Sequence, residues 1–336
     1  MAMKTLVWLL CCAVLGCATT PEGNGAQNPE RNEFDEPRKP ARITLVEGNG
    51  RLGETVRQVG RQYPVGIVLM NGLGHLPMGK LSFRNVGFDA FAERLAADAG
   101  CALQTCPNYK FLFASGLEYT VLANLSLTDA LDACYDEVSA SIALSEGTRL
   151  YTAFAWISQI LGVTVVADNA VAAAECGELA LADATLAECL EAILKSARVP
   201  AVRVDSTDEY IFLYSIGNNA AHNTLLNVRS LDERQEKFLE SRVTVALPNA
   251  PVDSRALVIQ PGKPLGSVLT ALSQQIGITI VAEEGLDGLP INPAVFNEVR
   301  VGTAMDLIIR QWLEPDYGYQ VTHDRVVIRR RTQDDA

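Results

Sequence analysis

The chain has 336 residues, 48% of them hydrophobic and 20% charged, with a formal net charge of −12. That length suggests two or three domains of about 100 to 150 residues, and the composition supports a packed core and excludes global disorder. The acidic balance repels phosphate backbones and argues against nucleic acid as a partner; the basic run RRR at 329–331 ends a strand-like RVVIRRR and reads as a solvated strand end.

Residues 1–16 read as a signal peptide. Lys4 supplies a short positive region, and LVWLLCCAVL at 6–15 is an apolar run about half as long as a membrane span. Gly16 and Cys17 follow, and VLGC resembles the lipobox of bacterial lipoproteins. The resemblance implies lipidation of Cys17 after cleavage and, because Ala18 rather than Asp comes next, an outer-membrane location facing the periplasm. More than one acyl chain on such a cysteine suffices for stable anchoring. Residues 17–40, rich in Pro, Gly, Asn and charge without apolar period, read as a flexible tether.

The first folded stretch spans 41–116. RITLVEG at 42–48 predicts a strand. Leu52, Val56, Val59 and Tyr63 lie on one helical face, and the run VGIVLM at 65–70 predicts a strand buried on both sides. LSFRNV at 81–86 predicts another strand, GFDAFAERLAADAG at 87–100 a second helix marked by Phe91, and CALQTC with YKFLFAS a closing pair of strands. Residues 117–138 predict a lone connecting strand and helix, with Thr128 as N-cap.

The same order returns over 139–215. It runs through SIALSEG, the ladder Leu150, Phe154, Ile157 and Leu161, the strand VTVVA, then ELALAD, a helix marked by Leu190, and the strands PAVRVDS and EYIFLYS. Residues 216–254 predict a linker with a charged helix and a strand, long enough for a third stretch to sit apart from the first two. Over 255–331 the order comes a third time: ALVIQPG, the ladder Leu265, Leu269, Leu272 and Ile276, the strand ITIVA, AVFNEV, a helix marked by Met305, then YGYQVTHD and RVVIRRR. Residues 332–336 form a tail. The predicted fold class is α+β: three tandem β-α-β-β-α-β-β modules, each with two helices packed on a small sheet. Such a sheet can leave its other face uncovered and an edge open to a partner strand.

This pattern resembles the short N-terminal domain of secretins and TonB-dependent receptors, called STN, and the related secretin N-domains. The resemblance rests on LSQQIGITIVAEE at 272–284, ISQILGVTVVADNA at 157–170, and the pairs Cys189-Leu190, Ala304-Met305 and Ala90-Phe91. The first copy departs most, with Pro64 in place of the glycine that closes the first helix. The resemblance covers about 230 residues and implies periplasmic interaction domains of outer-membrane transport machines. No barrel-forming segment follows the third copy in this sequence, so what carries over is the module and its docking role.

Chemistry is sparsely represented. His75, His222 and His323 stand alone, without a second metal ligand at suitable spacing, and read as surface loop residues. GLGHLPMG is not a phosphate loop, and neither a nucleophile–base set nor a metalloprotease motif occurs. Cys101, Cys106, Cys134, Cys176 and Cys189 read as small core thiols; Cys101 and Cys106 fall too far apart along a strand to bridge. The expectation is a non-enzyme without catalytic residues, metal or cofactor.

One flank stands out. Ala153, Trp156 and Ile160 are apolar where the first copy has Thr55, Gln58 and Gln62 and the third has Val268, Ala271 and Gln275. They mark a contact outside the module's own sheet, either with residues 117–138 or with a partner protein. Together these readings predict a lipid-anchored periplasmic adaptor of an outer-membrane secretion, pilus or TonB-type system, whose partner is a secretin, pilus or TonB-system component. The alternative is an envelope lipoprotein that senses a small ligand or glycan.

Overall fold

A computed structural model describes residues 41–46, 50–116, 122, 124–199, 201–218, 224–247, 263–312, 316–323 and 325–332. The signal peptide, Cys17, the tether, His222 and the strand expected at ALVIQPG lie outside the described residues.

These residues form a mixed α+β fold. The first stretch contains β1 (Arg42–Val46), β2 (Gly50–Arg51), α1 (Leu52–Gln62), β3 (Ile67–Leu69), β4 (Pro77–Met78), β5 (Ser82–Gly87), α2 (Phe88–Ala99), β6 (Ala102–Thr105) and β7 (Lys110–Phe113). The second contains β8 (Ser139–Leu144), α3 (Leu150–Leu161), β9 (Val165–Ala167), α4 (Asn169–Ala172), β10 (Leu179–Thr185), α5 (Leu186–Ser196), β11 (Val202–Ser206) and β12 (Ile211–Ser215). The third contains α6 (Glu233–Glu240), β13 (Arg242–Ala246), β14 (Lys263–Pro264), α7 (Leu265–Ile276), β15 (Thr279–Ala282), β16 (Pro290–Ile291), β17 (Val295–Arg300), α8 (Val301–Ile309), β18 (Tyr317–Val321) and β19 (Arg325–Arg330).

The helices follow their apolar ladders. Leu52, Val56 and Val59 of α1, Leu150, Phe154 and Ile157 of α3, and Leu265, Leu269 and Leu272 of α7 are buried. Helices α3 and α7 end on Gly162 and Gly277 in the left-handed conformation, where no Cβ resists the turn. Helix α1 has no such glycine. Its C-cap Tyr63 turns extended directly before Pro64, which disfavours helical backbone in the residue ahead of it. Helix α5 opens with a capping box, Thr185 and Glu188 satisfying each other's backbone amides.

Strand pairing is largely local to each stretch. β1 runs antiparallel to β5, β8 to β10 and β13 to β17. β3 lies parallel to β7, β9 to β12 and β15 to β19, while β6–β7, β11–β12 and β18–β19 are antiparallel hairpins. The first three antiparallel pairs are each broken by a register shift. At each shift one non-glycine residue has positive φ: Asn85, Asp183 or Glu298. A hydroxyl on the facing strand accepts its amide: Thr44 at 3.0 Å, Ser141 at 3.0 Å and Thr244 at 3.2 Å. These bulges bend the strand and deliver the chain into α2, α5 and α8. Counted from those residues, Phe91 stands level with Cys189 and Ala304 rather than with Leu190 and Met305.

Sheets also join across stretches. β3 pairs with β10, giving a five-stranded sheet ordered β6-β7-β3-β10-β8. One apolar core runs through residues 43–213. A second gathers residues 239–328 and takes in Val166 and Phe212 from the preceding stretch.

Three expectations change. The third stretch does not sit apart, because Val166 and Phe212 are buried in its core. The strand assigned to the 216–254 linker, β13, pairs with β17 as β1 pairs with β5. Within 117–138, residues 128–130 form a turn; the helix expected after Thr128 is a single 3-10 turn at Ala133–Tyr135, capped by Asp132, whose carboxylate accepts from the Cys134 amide.

Candidate interaction surface

The flank singled out on α3 divides three ways. Ala153 is 1% exposed and buried in the first core; Trp156 is half-buried and packs against that same core; Ile160 is 51% exposed. Leu125, Leu131 and Val138 of the connecting segment pack against that core too. Ala155, next to Trp156 and about 100° round the helix from it, is fully buried and meets Val295 of β17. The outer side of α3 therefore lies against the third stretch, and Ile160 is the flank residue left at the surface.

About half of the buried polar side chains among the described residues serve the two joints between stretches. At the first joint, Arg57 of α1 makes two hydrogen bonds to Glu178, at 2.8 and 2.6 Å. Glu178 raises the Arg57 pKa by hydrogen bonding first, offset by desolvation. Lys195 of α5 is buried, pairs with Glu191 at 2.7 Å and lies 5.7 Å from the centre of the Tyr109 ring. Tyr109 donates to the same Glu191 oxygen at 2.5 Å. Burial first, and the Glu191 charge second, push the Tyr109 hydroxyl well above its ordinary range.

The second joint has the same layout with different side chains. Arg310, at the end of α8, is 2% exposed, lies 4.2 Å from the Phe212 ring centre and pairs with Asp205 at 2.7 Å. Glu209, beside β12, accepts from Arg300 at 3.0 Å and from Thr303 at 2.8 Å. Two asparagines hold matching positions: the Asn71 amide donates to Ser196 O at 2.7 Å, and the Asn169 amide to Gln311 O at 2.8 Å. Asp168, fully buried, is satisfied by Val171, Ser215 and Asn218.

None of these joint residues was singled out from sequence. Their signal was a single cation inside an apolar run, Lys195 in AILKSA and Arg310 in LIIRQWL. The partners lie far away in the chain, so the run alone does not say what the cation meets.

His75 is an exposed loop residue 3.5 Å from Glu146, and His323 is exposed. The five cysteines after residue 100 are free. Cys106, Cys176 and Cys189 are buried, Cys101 is half-buried and Cys134 is exposed. Burial raises the Cys176 and Cys189 thiols to about 12. Among the described residues no group of His, Cys, Asp and Glu is arranged to hold a metal, and no helix is long and apolar enough to cross a membrane. A shallow surface groove is lined by Gly50, Arg51, Glu54, Pro77, Met78 and Gly79.

No protein-family model, curated protein or solved structure matches the chain. Among the described residues, the ion pairs Arg57–Glu178, Arg242–Glu209 and Arg310–Asp205 join one stretch of the chain to the next.

Proposed function

We propose that this protein is a lipid-anchored periplasmic adaptor, built from three STN-like modules in tandem, that binds a protein component of an outer-membrane secretion, pilus or TonB-type system. The module boundaries are 41–116, 139–215 and 255–331, with β13 added to the third. Support for the three-module reading comes from one observation above all. The bulged antiparallel pair, the parallel pair and the closing hairpin occur in the same order in each stretch, with Asn85, Asp183 and Glu298 in the same strained conformation. A non-glycine residue in that region costs about 1 to 2 kcal/mol, so its presence at three matching places points to one architecture used three times.

The adaptor role rests on the sequence resemblance to STN modules and on Cys17 in its lipobox-like context. Buried charges spent on joints rather than on a cleft fit a scaffold better than a ligand sensor. The test is crosslinking in intact cells followed by affinity purification of the full chain. Recovery of a secretin, pilus or TonB-system component supports the adaptor. Recovery of none, together with binding of a glycan or small molecule to the purified chain, moves the reading to the sensor.

A further inference from the structure

Helix and strand surfaces used at the two joints recur, uncovered by any of the described residues, on α2 and on the third sheet. In the first sheet Val68 and Phe111 are neighbours across β3 and β7, and both are fully buried. In the second, Val166 and Phe212 hold the matching places and are buried within the third stretch's core. In the third sheet those places are Val281 and Val327, cross-strand neighbours that are only half-buried. Conversely, the helix face that covers a preceding sheet carries Glu188, Glu191 and Lys195 on α5 and Thr303 and Arg310 on α8, all buried. On α2 the same face carries Ala90, Glu93 and Ala97, all exposed.

The strand edges tell the same story. β3 takes β10 at its free edge, Ile67 opposite Ala180. Beside β9, Asn297 of β17 donates its amide to the Thr164 hydroxyl at 2.9 Å and its side chain to the Ser158 and Val163 carbonyls at 2.9 and 2.8 Å. On β15 the residue matching Thr164 is Thr279, which is exposed. Among the described strands, β5 pairs only with β1 and β15 only with β19. The residue of β5 matching Asn297 is Arg84, also exposed.

We propose that a second copy of this chain continues the stack head to tail, seating its β5 and α2 on the β15 edge and open sheet face of the first. The inference rests on the three-module reading and is independent of the adaptor role. Charge complementarity favours a second copy over an unrelated protein. Arg325 stands where Tyr109 and Tyr210 stand, and Glu93 where Glu191 stands, so the tyrosine–glutamate hydrogen bond of the first joint becomes an arginine–glutamate pair between copies. In this arrangement Arg84 of the second copy reaches the C-terminal end of α7 of the first, where carbonyls favour a cation. The contact is heterologous, so it extends or closes into a ring and is not limited to a symmetric dimer.

The test mixes two differently tagged full-length chains, one carrying Glu93→Cys and the other Arg325→Cys, with a short bismaleimide; wild type measures background from native thiols. A crosslink that forms only in the mixture, with Glu93→Arg weakening self-association by about 2- to 5-fold and added Arg325→Glu restoring it, is the expected result. A crosslink equally strong with Arg325→Cys alone indicates a symmetric contact and overturns the proposal. So does a monomeric mass by sedimentation across the concentration series with no crosslink. An intrachain control, His75→Cys with Glu146→Cys, reports on the first joint. If it forms while the mixed crosslink fails, only the assembly proposal falls; if it fails, the joint and the three-module reading fall with it.

Discussion

Arg310 lies over Phe212, its guanidinium carbon 4.2 Å from the ring centre, and pairs with Asp205 at 2.7 Å. One side chain thus ties the last helix to the sheet before it by stacking and by charge. Removing it leaves a cavity and strips Asp205 of its cation. Arg310→Ala is expected to cost about 3 kcal/mol, a fall in Tm of about 4 to 5 °C for a chain of this size. Arg310→Lys keeps the charge but loses the guanidinium and its fork of donors, and falls between the two. Circular dichroism melts of the three proteins check this order, and an unchanged melt for Arg310→Ala would remove the second joint from the account of stability.

Stability is expected to fall on the alkaline side. Burial raises Cys176 and Cys189 from 9.0 to about 12, so the folded protein keeps protons that the unfolded chain releases above pH 9. With folded pKa values above unfolded ones, the stabilisation is complete below pH 9 and is lost as pH rises toward 12. Tyr109, raised by burial and by Glu191, adds to the same trend once the unfolded tyrosine ionises. Urea midpoints at about pH 7.5 and about pH 10.5 measure it. Cys189→Ala should show a shallower decline than wild type, and equal slopes would exclude the Cys189 thiol as a cause.

Trp156 and Ile160 should separate cleanly. Trp156 packs against the first core, so Trp156→Ala is expected to cost about 2 kcal/mol, less than the fully buried case. Ile160 is 51% exposed, and Ile160→Ala should stay within about 0.5 kcal/mol of wild type. Thermal melts read the first effect. Copurification of partner proteins from crosslinked cells reads the second: loss with Ile160→Ala at unchanged stability locates a partner contact on this flank, whereas full retention leaves the flank to internal packing.

Glycine at the first joint has a steric reason. A Cβ on Gly177 would stand 2.1 Å from the Leu69 carbonyl oxygen, where β3 and β10 meet. Both are main-chain positions beside paired strands, so neither yields easily. Gly177→Ala is therefore expected to destabilise by about 1 to 3 kcal/mol, read as a lower urea midpoint. A midpoint equal to wild type would mean that the two strands are not in register as described.

The helices and buried strands were legible because their periodicity is local: Leu150, Phe154 and Ile157 announce α3 without reference to any other segment. The opening strand of the third stretch was not, since β13 is separated from β14 by residues 247–262 and only its pairing with β17 assigns it. The flank on α3 was legible as odd, but its division into buried Ala153 and exposed Ile160 depends on where β17 and the connecting segment fall. The joints were the least legible. Arg57 meets Glu178, and Arg310 meets Asp205, across distances in sequence over which no period or motif extends.

The three bulges offer a graded test of local strain. Asn85, Asp183 and Glu298 hold positive φ, and each amide is accepted by a hydroxyl on the facing strand. Asparagine and aspartate tolerate this conformation better than glutamate, whose longer side chain gives no local hydrogen bond in return. Glycine removes the Cβ clash but adds freedom to the unfolded chain. The balance predicts that Glu298→Gly stabilises by about 0.5 to 1 kcal/mol while Asn85→Gly is near neutral. Losing the accepting hydroxyl should act in the opposite sense: Thr44→Val, Ser141→Ala and Thr244→Val each cost about 0.5 to 1.5 kcal/mol. Valine keeps the β-branched shape that strands favour, so the two threonine variants isolate the hydrogen bond from strand propensity. Urea denaturation with an unchanged slope measures all five. Destabilisation by Glu298→Gly would show that its side chain, rather than the backbone turn it makes, is what that position requires.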